Sequence, residues 1–188
     1  MRVVAGSAGG RRLRAPAGRK VRPTTDMVRE AVFSSLASLN AVEGKRVVDL
    51  FAGTGALGIE ALSRGASSAV FVEADPTAIA VIRANLADTG LARGATVVRS
   101  DAIRWVRDAA ASGGRFDLVF ADPPYAFADW PAVLDDLPTR LVALESRSHL
   151  DLGPRWGVIK SKRHGDTVVT IARRSSGPGA GNDEGATV

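Results

Sequence analysis

Apolar positions along the chain fall into two alternating rhythms. Short apolar runs at 47–50, 69–73, 95–99, 116–121 and 141–145 have the length and β-branched content of buried strands. Between them the spacing is helical, over 55–64, 76–88, about 102–110 and near 129–137, and Pro76 suits a first helical turn. Strands alternating with helices predict a mostly parallel sheet with right-handed crossovers. The rhythm then changes. Runs at 156–160 and 167–171 have no helical pattern between them. The polar stretch from Lys162 to Asp166 should turn one into the other, giving a terminal antiparallel hairpin. That makes seven strands. Ahead of the series, Thr24 or Thr25 can cap a helix whose apolar face is Met27 or Val28, Ala31, Val32, Leu36 and Leu39. Val3 and Val4, a Gly9-Gly10 turn and Leu13 suggest a small hairpin at the start. The expected organisation is a basic extension over 1–20, one α/β domain over 21–173 and a disordered tail over 174–188.

Chemistry concentrates where strands end. After the first strand comes Gly53-x-Gly55-x-x-Gly58, with Glu73 20 residues beyond Gly53. That spacing matches the dinucleotide fingerprint, in which a glycine-rich turn admits a ligand to backbone N–H groups. Asp49 argues against a dinucleotide, since a carboxylate there would repel a pyrophosphate. It suits a ligand with positive charge at that place. S-adenosylmethionine carries an ammonium and a sulfonium, and Glu73 could accept from its ribose hydroxyls. Asp101 would face the adenine amine, and Ala102 would offer its N–H to the ring. Acids thus close four strands: Asp49, Glu73, Asp101 and Asp122. Any one of them could merely cap a helix. Four together fit a cleft better.

Asp122-Pro123-Pro124-Tyr125 is the most specific motif. Its prolines fix φ and remove two donors, so the Pro123 carbonyl can be held toward a ligand. Asp122 and that carbonyl offer two acceptors to the two N–H groups of an exocyclic base amine. Tyr125 could stack on the base for about 1–3 kcal/mol.

Composition narrows the partner. The net charge is +5 and the pI near 10.4, which points to a polyanion. Arg2, Arg11, Arg12, Arg14, Arg19, Lys20 and Arg22 all precede the first acid, Asp26, and form a candidate RNA-contact surface. Cysteine is absent, which excludes disulfides, cysteine-ligated metals and a cysteine nucleophile. No metal site is expected. No apolar window approaches 18 residues and no signal-peptide core is present, so a cytoplasmic location without a membrane anchor is expected.

Four blocks together resemble the RsmD family: Arg22 to Phe33, Asp49 to Gly58, Glu73-Ala74-Asp75, and Asp122 to Tyr125. The late Lys162-Arg-His-Gly-Asp-Thr167 resembles it too, although His164 stands where the family more often has Tyr. The resemblance runs from Met1 to about Arg173. It implies the class I, Rossmann-like methyltransferase fold with a small N-terminal hairpin. It also implies S-adenosylmethionine-dependent methylation of the exocyclic N2 of one guanine in 16S ribosomal RNA, on the small subunit. A monomer is expected. Arg22, Thr24, Thr25, Asp49, Phe51, Gly53, Gly55, Glu73, Ala74, Asp101, Ala102 and Asp122 would then hold the cofactor. Asp122, Pro123, Pro124 and Tyr125 would present the base. The rival readings are adenine N6 methylation of DNA or RNA, a nucleotide-dependent oxidoreductase, and a ribosome-assembly factor without turnover.

Overall fold

A computed structural model describes residues 1–15, 26–124 and 126–175. The elements run α1 (Asp26–Ala37), β1 (Arg46–Leu50), α2 (Ala56–Ser63), β2 (Ser68–Glu73), α3 (Pro76–Thr89), β3 (Ala95–Arg99) and α4 (Ala102–Ala111). Then come β4 (Leu118–Ala121), α5 (Trp130–Leu134), β5 (Leu141–Ser146), β6 (Trp156–His164) and β7 (Thr167–Arg174). The described strands form a seven-stranded sheet in the order β3-β2-β1-β4-β5-β7-β6. β1 to β5 pair in parallel, and β7 pairs antiparallel with both β5 and β6. The expected fold class is borne out.

Apolar burial explains the layering. On one face Val32, Phe33 and Leu36 of α1, Ile59 of α2 and Ile82 of α3 pack in one cluster with Val47, Phe71 and Phe120 of the sheet. On the other, Val106 of α4 and Val133 of α5 join Val48, Leu50 and Val119. β1 and β4 supply both clusters because successive side chains of a strand point to opposite faces.

Local signals set the helix starts. Asp75 caps α3, accepting from Thr77 N at 2.8 Å, and Pro76 follows in the first turn. Asp101 caps α4 by accepting from Arg104 N at 3.0 Å. α2 has no capping side chain at Gly55; the carboxylate of Asp49 accepts from Gly58 N at 2.9 Å instead. A strand residue thus satisfies an orphan donor of the helix after it.

Three expectations need correction. The 162–166 turn is shorter than expected: pairing continues to His164 with Thr167, so Gly165 and Asp166 alone make it, with Gly165 at φ 58°. α5 covers 130–134 and not 129–137, because Pro138 disfavours helix in the residue before it and Asp135 already sits at the cap. The proposed tail boundary at 174 falls inside β7: Arg174 donates to the carbonyls of Leu134, Asp135 and Leu137 and lies over the Trp156 ring, 5.0 Å from its centroid. The expected disorder of the tail otherwise concerns residues 176–188, outside the described residues.

The N-terminal hairpin forms, with Arg2 bridging Arg12, but it is sewn into the domain and does not project from it. Val3, Ala8 and Leu13 are buried in the same cluster as α1 and α2. Fully buried Glu60 accepts from Val4 N at 2.7 Å, Ala5 N at 3.0 Å and Arg64 Nε at 2.7 Å. Buried Arg29 lies 3.5 Å from Glu60 and donates to the Arg2 carbonyl. Gly6 passes so close to α2 that a Cβ would meet the Ser63 carbonyl oxygen at 1.9 Å.

Glu60→Ala should therefore cost about 1–3 kcal/mol in urea unfolding, because the amides of Val4 and Ala5 lose their acceptor while Arg29 keeps Asp26 as a partner at 2.8 Å. It should also speed amide exchange at Val4 and Ala5 more than at the β1 core.

Candidate active site

β1 and β4 lie side by side, and the chain leaves them in opposite directions, toward β2 and toward β5. This is the switch point at which the loops after the strands open a crevice. Pairing of Leu50 with Ala121 sets the β1–α2 loop level with Asp122 and Pro123.

The β1–α2 loop is tightly folded. Phe51 takes φ 57°, an unusual value for a bulky residue, and Gly53 and Gly55 follow at φ 55° and 77°. Gly58 is needed for packing: a Cβ there would lie 2.3 Å from Cε1 of Phe71. The Glu73 carboxylate fastens this loop to the next one, accepting from Gly53 N at 2.8 Å, Ala74 N at 2.8 Å and Asp75 N at 2.9 Å. A carboxylate has about four acceptor sites, so Glu73 keeps capacity for one strong ribose contact better than for two.

Asp49 is almost wholly buried beneath that loop. Loss of hydration pushes its carboxyl up to about 8; the Gly58 N–H opposes this, and the charges of Asp122 and Glu73 add to it. A buried carboxyl among acids is a place for a cation. A positively charged ligand would ionise Asp49, and binding near neutral pH would release a proton. An ammonium or sulfonium fits these residues; a pyrophosphate does not.

Asp101 and Ala102 lie at the start of α4, after β3. One Asp101 oxygen is committed to Arg104 N, so the capping role is realised. Ala102 is buried. On the other side of the crevice Pro123 is buried and Pro124 exposed, and Phe127 N donates to the Pro124 carbonyl at 2.8 Å. The Phe127 ring lies 5.1 Å from Phe51 and 5.4 Å from Trp130, so aromatic contact spans the two loops. A groove of about 120 Å³ opens beside the prolines, lined among others by Phe127, Trp130, Glu145 and Ser146. Tyr125, Arg22, Thr24 and Thr25 lie outside the described residues.

Some residues were missed by the sequence reading. Phe127 and Trp130 carry no motif. Glu145 does follow a signal already in use, for it is a fifth acid at the end of a parallel strand. The basic surface also changes. Arg2 pairs with Asp26 at 3.5 Å and Arg14 with Asp88 at 2.8 Å, while Arg11 donates to the Asp88 carbonyl. These cations are unopposed in sequence but opposed in space, although exposed pairs of this kind hold by at most about 1 kcal/mol. Arg12 is exposed. Arg19 and Lys20 lie outside the described residues. Asn85 accepts from Arg14 N at 2.7 Å and donates to the Thr54 carbonyl at 2.9 Å, which sets the end of the arm against the glycine loop. Among the described residues, no group of acids and histidines is arranged to hold a metal, and no helix is long and apolar enough to cross a membrane.

Known proteins share this architecture and sequence. The family described as "Conserved hypothetical protein 95" matches residues 1–173. The chain belongs to that family. The RsmD-type resemblance of the motifs is thereby borne out. "Putative rRNA methyltransferase YlbH" of Bacillus subtilis is 46% identical over 125 residues, 66% of this chain and 67% of that protein. "Ribosomal RNA small subunit methyltransferase D" of Escherichia coli K12 is 41% identical over 125 residues, 66% of this chain and 60% of that protein. The solved structure of "Putative methyltransferase yhhF from Escherichia coli" superposes with a TM-score of 0.80 at 32% identity, covering 94% of this chain and 98% of that one.

The burial of Asp49 has a pH signature. A carboxyl held near 8 in the fold and 3.8 in the open chain binds its proton more tightly when folded. Stability from this group is fully present below about pH 4 and declines as pH rises toward 8. Asp49→Asn should flatten that decline, so the stability difference between variant and wild type should change by up to about 1.4 kcal/mol per pH unit inside the window. Denaturant unfolding at several pH values checks this.

Proposed function

We propose that the protein is an S-adenosylmethionine-dependent ribosomal RNA methyltransferase, and that it methylates the exocyclic N2 of a guanine in 16S RNA of the small subunit. The observation that carries this reading is the placement of Asp122-Pro123 across the switch point from the Asp49 loop. The small-subunit methyltransferase named above among its relatives supports the substrate.

When bound, S-adenosylmethionine supplies a methyl group already activated on a sulfonium. The protein's own residues then bind and orient. Asp49, ionised, balances the cationic methionine end beside Phe51, Gly53 and Gly55. Glu73 accepts from a ribose hydroxyl, with the Ala74 N–H already turned to it. Asp101 and Ala102 border the adenine, and Arg22, Thr24 and Thr25 border the cofactor or target base, as the family motif implies. The target guanine must leave its stack for its amine to enter the crevice. Asp122 and the Pro123 carbonyl accept from the two amine N–H groups and turn the N2 lone pair toward the methyl carbon. Bound there, the cofactor would supply its methyl carbon to that lone pair with the thioether sulfur as leaving group, and Asp122 or water would take the amine proton. Orientation does most of the work. Pro124 keeps the turn rigid, and Tyr125 is assigned the stacking role of the motif. Arg2, Arg11, Arg12, Arg14, Arg19 and Lys20 are assigned to RNA phosphate, where the pairs to Asp26 and Asp88 would have to yield to the polyanion.

Small subunits from a strain lacking its own enzyme should accept labelled methyl from the cofactor, and nucleoside digestion should place the label in N2-methylguanosine. Label in N6-methyladenosine would replace the guanine reading with the adenine one. Asp122→Ala should lower kcat by roughly 100-fold or more while the cofactor dissociation constant stays nearly unchanged. A matching loss of cofactor affinity would remove Asp122 from the transfer step.

A further inference from the structure

The groove beside Pro123 and Pro124 has a role in base choice, and this inference rests on the guanine-N2 reading above. We infer that Glu145 is its specificity-determining residue, accepting a hydrogen bond from N1–H of the target guanine. The register sets the geometry. Ala121 of β4 pairs with Leu144 of β5, so Asp122 and Glu145 are the next residues on neighbouring parallel strands. Adjacent strands run about 4.8 Å apart, and residues level with each other point to the same face. Glu145 is 3% exposed and lines the groove together with both prolines. The groove holds far more than one water, which needs about 10–15 Å³.

The chemistry of the Watson–Crick edge then separates the purines. In guanine the N2 amine is flanked by N1–H, so an amine seated between Asp122 and the Pro123 carbonyl turns a second donor toward the next group along. A carboxylate can only accept there. Adenine seated by its N6 amine would bring the N1 lone pair to the same carboxylate. That contact is repulsive, and a buried polar mismatch discriminates strongly. The turn after Glu145 is held in shape: Ser146 Oγ donates to the Ser148 carbonyl at 2.7 Å, and Arg163 Nη1 donates to the Arg147 carbonyl at 3.1 Å. The basic β6 strand is thereby tied to the lip of the groove, where flanking phosphates would pass.

The test compares wild type, Glu145→Leu and Glu145→Gln on small subunits, reading kcat/KM for N2-methylguanosine, cofactor affinity and melting temperature. Leu fills similar volume without an acceptor, so kcat/KM should fall roughly 10- to 100-fold. Gln keeps one acceptor and should recover most of that loss. Cofactor affinity should stay within about twofold in both, and both variants should remain folded at the assay temperature. Unchanged kcat/KM in the Leu variant would overturn the inference. So would a loss that tracks cofactor affinity or melting temperature, or that Gln does not relieve. Wild type yielding no N2-methylguanosine would instead refute the guanine reading itself.

Discussion

A carboxyl group buried under a glycine loop is the constraint on which the site depends. Asp49 sits in β1, an interior strand of the sheet, with apolar neighbours on both sides, and hydration lost there is not fully returned by the single N–H of Gly58. The group is held neutral more readily than charged. Yet it lies at the N-terminus of α2, where the helix dipole and the orphan amides favour an anion. A cationic ligand resolves that conflict by supplying the charge that burial withholds. Binding and ionisation are then one event. The same carboxyl also fixes where α2 begins, so the loop that would receive the ligand is shaped by the residue that would attract it.

Carboxylates organise backbone elsewhere in the fold as well. Glu73 gathers the amides of Gly53, Ala74 and Asp75, and Glu60 gathers those of Val4 and Ala5. In each case an anion inside the structure satisfies donors of irregular segments that have no ladder partner. The consequence for Glu73 is a limit on what else it can hold. For Glu60 it is that the N-terminal hairpin belongs to the same cooperative unit as α1 and α2, through Arg29.

The strand series, the terminal hairpin and the strand-end acids were legible because each is a local pattern: apolar runs of strand length, turn residues, and Asp or Glu where a strand stops. What was not legible depends on residues far apart in sequence. The extension at 1–20 read as an appendage since its basic run has no nearby acid, but for its described part, 1–15, Asp26, Glu60 and Asp88 arrive through the fold. The length of α5 was overstated since helical spacing continues to Leu137, whereas Pro138 and the early cap decide the end. Glu145 differs from these. It obeys the strand-end rule used for Asp49, Glu73, Asp101 and Asp122, and only the register with Ala121 and Leu144 shows why it matters.

The aromatic contacts add the last constraint. Phe51 holds a left-handed backbone, which costs energy for a residue with a Cβ unless its surroundings impose it. Its ring meets Phe127, which meets Trp130 at the groove wall. On the proposed function, the loop that would face the methyl donor and the loop that would face the acceptor amine share one apolar bridge. In-line transfer needs donor and acceptor placed to within a fraction of an ångström, and loops that moved independently would lose that alignment. Packing Phe51 against Phe127 makes the distance across the crevice a property of side-chain contact as well as of the sheet beneath. The strained φ at Phe51 is the local cost of directing that ring across the crevice.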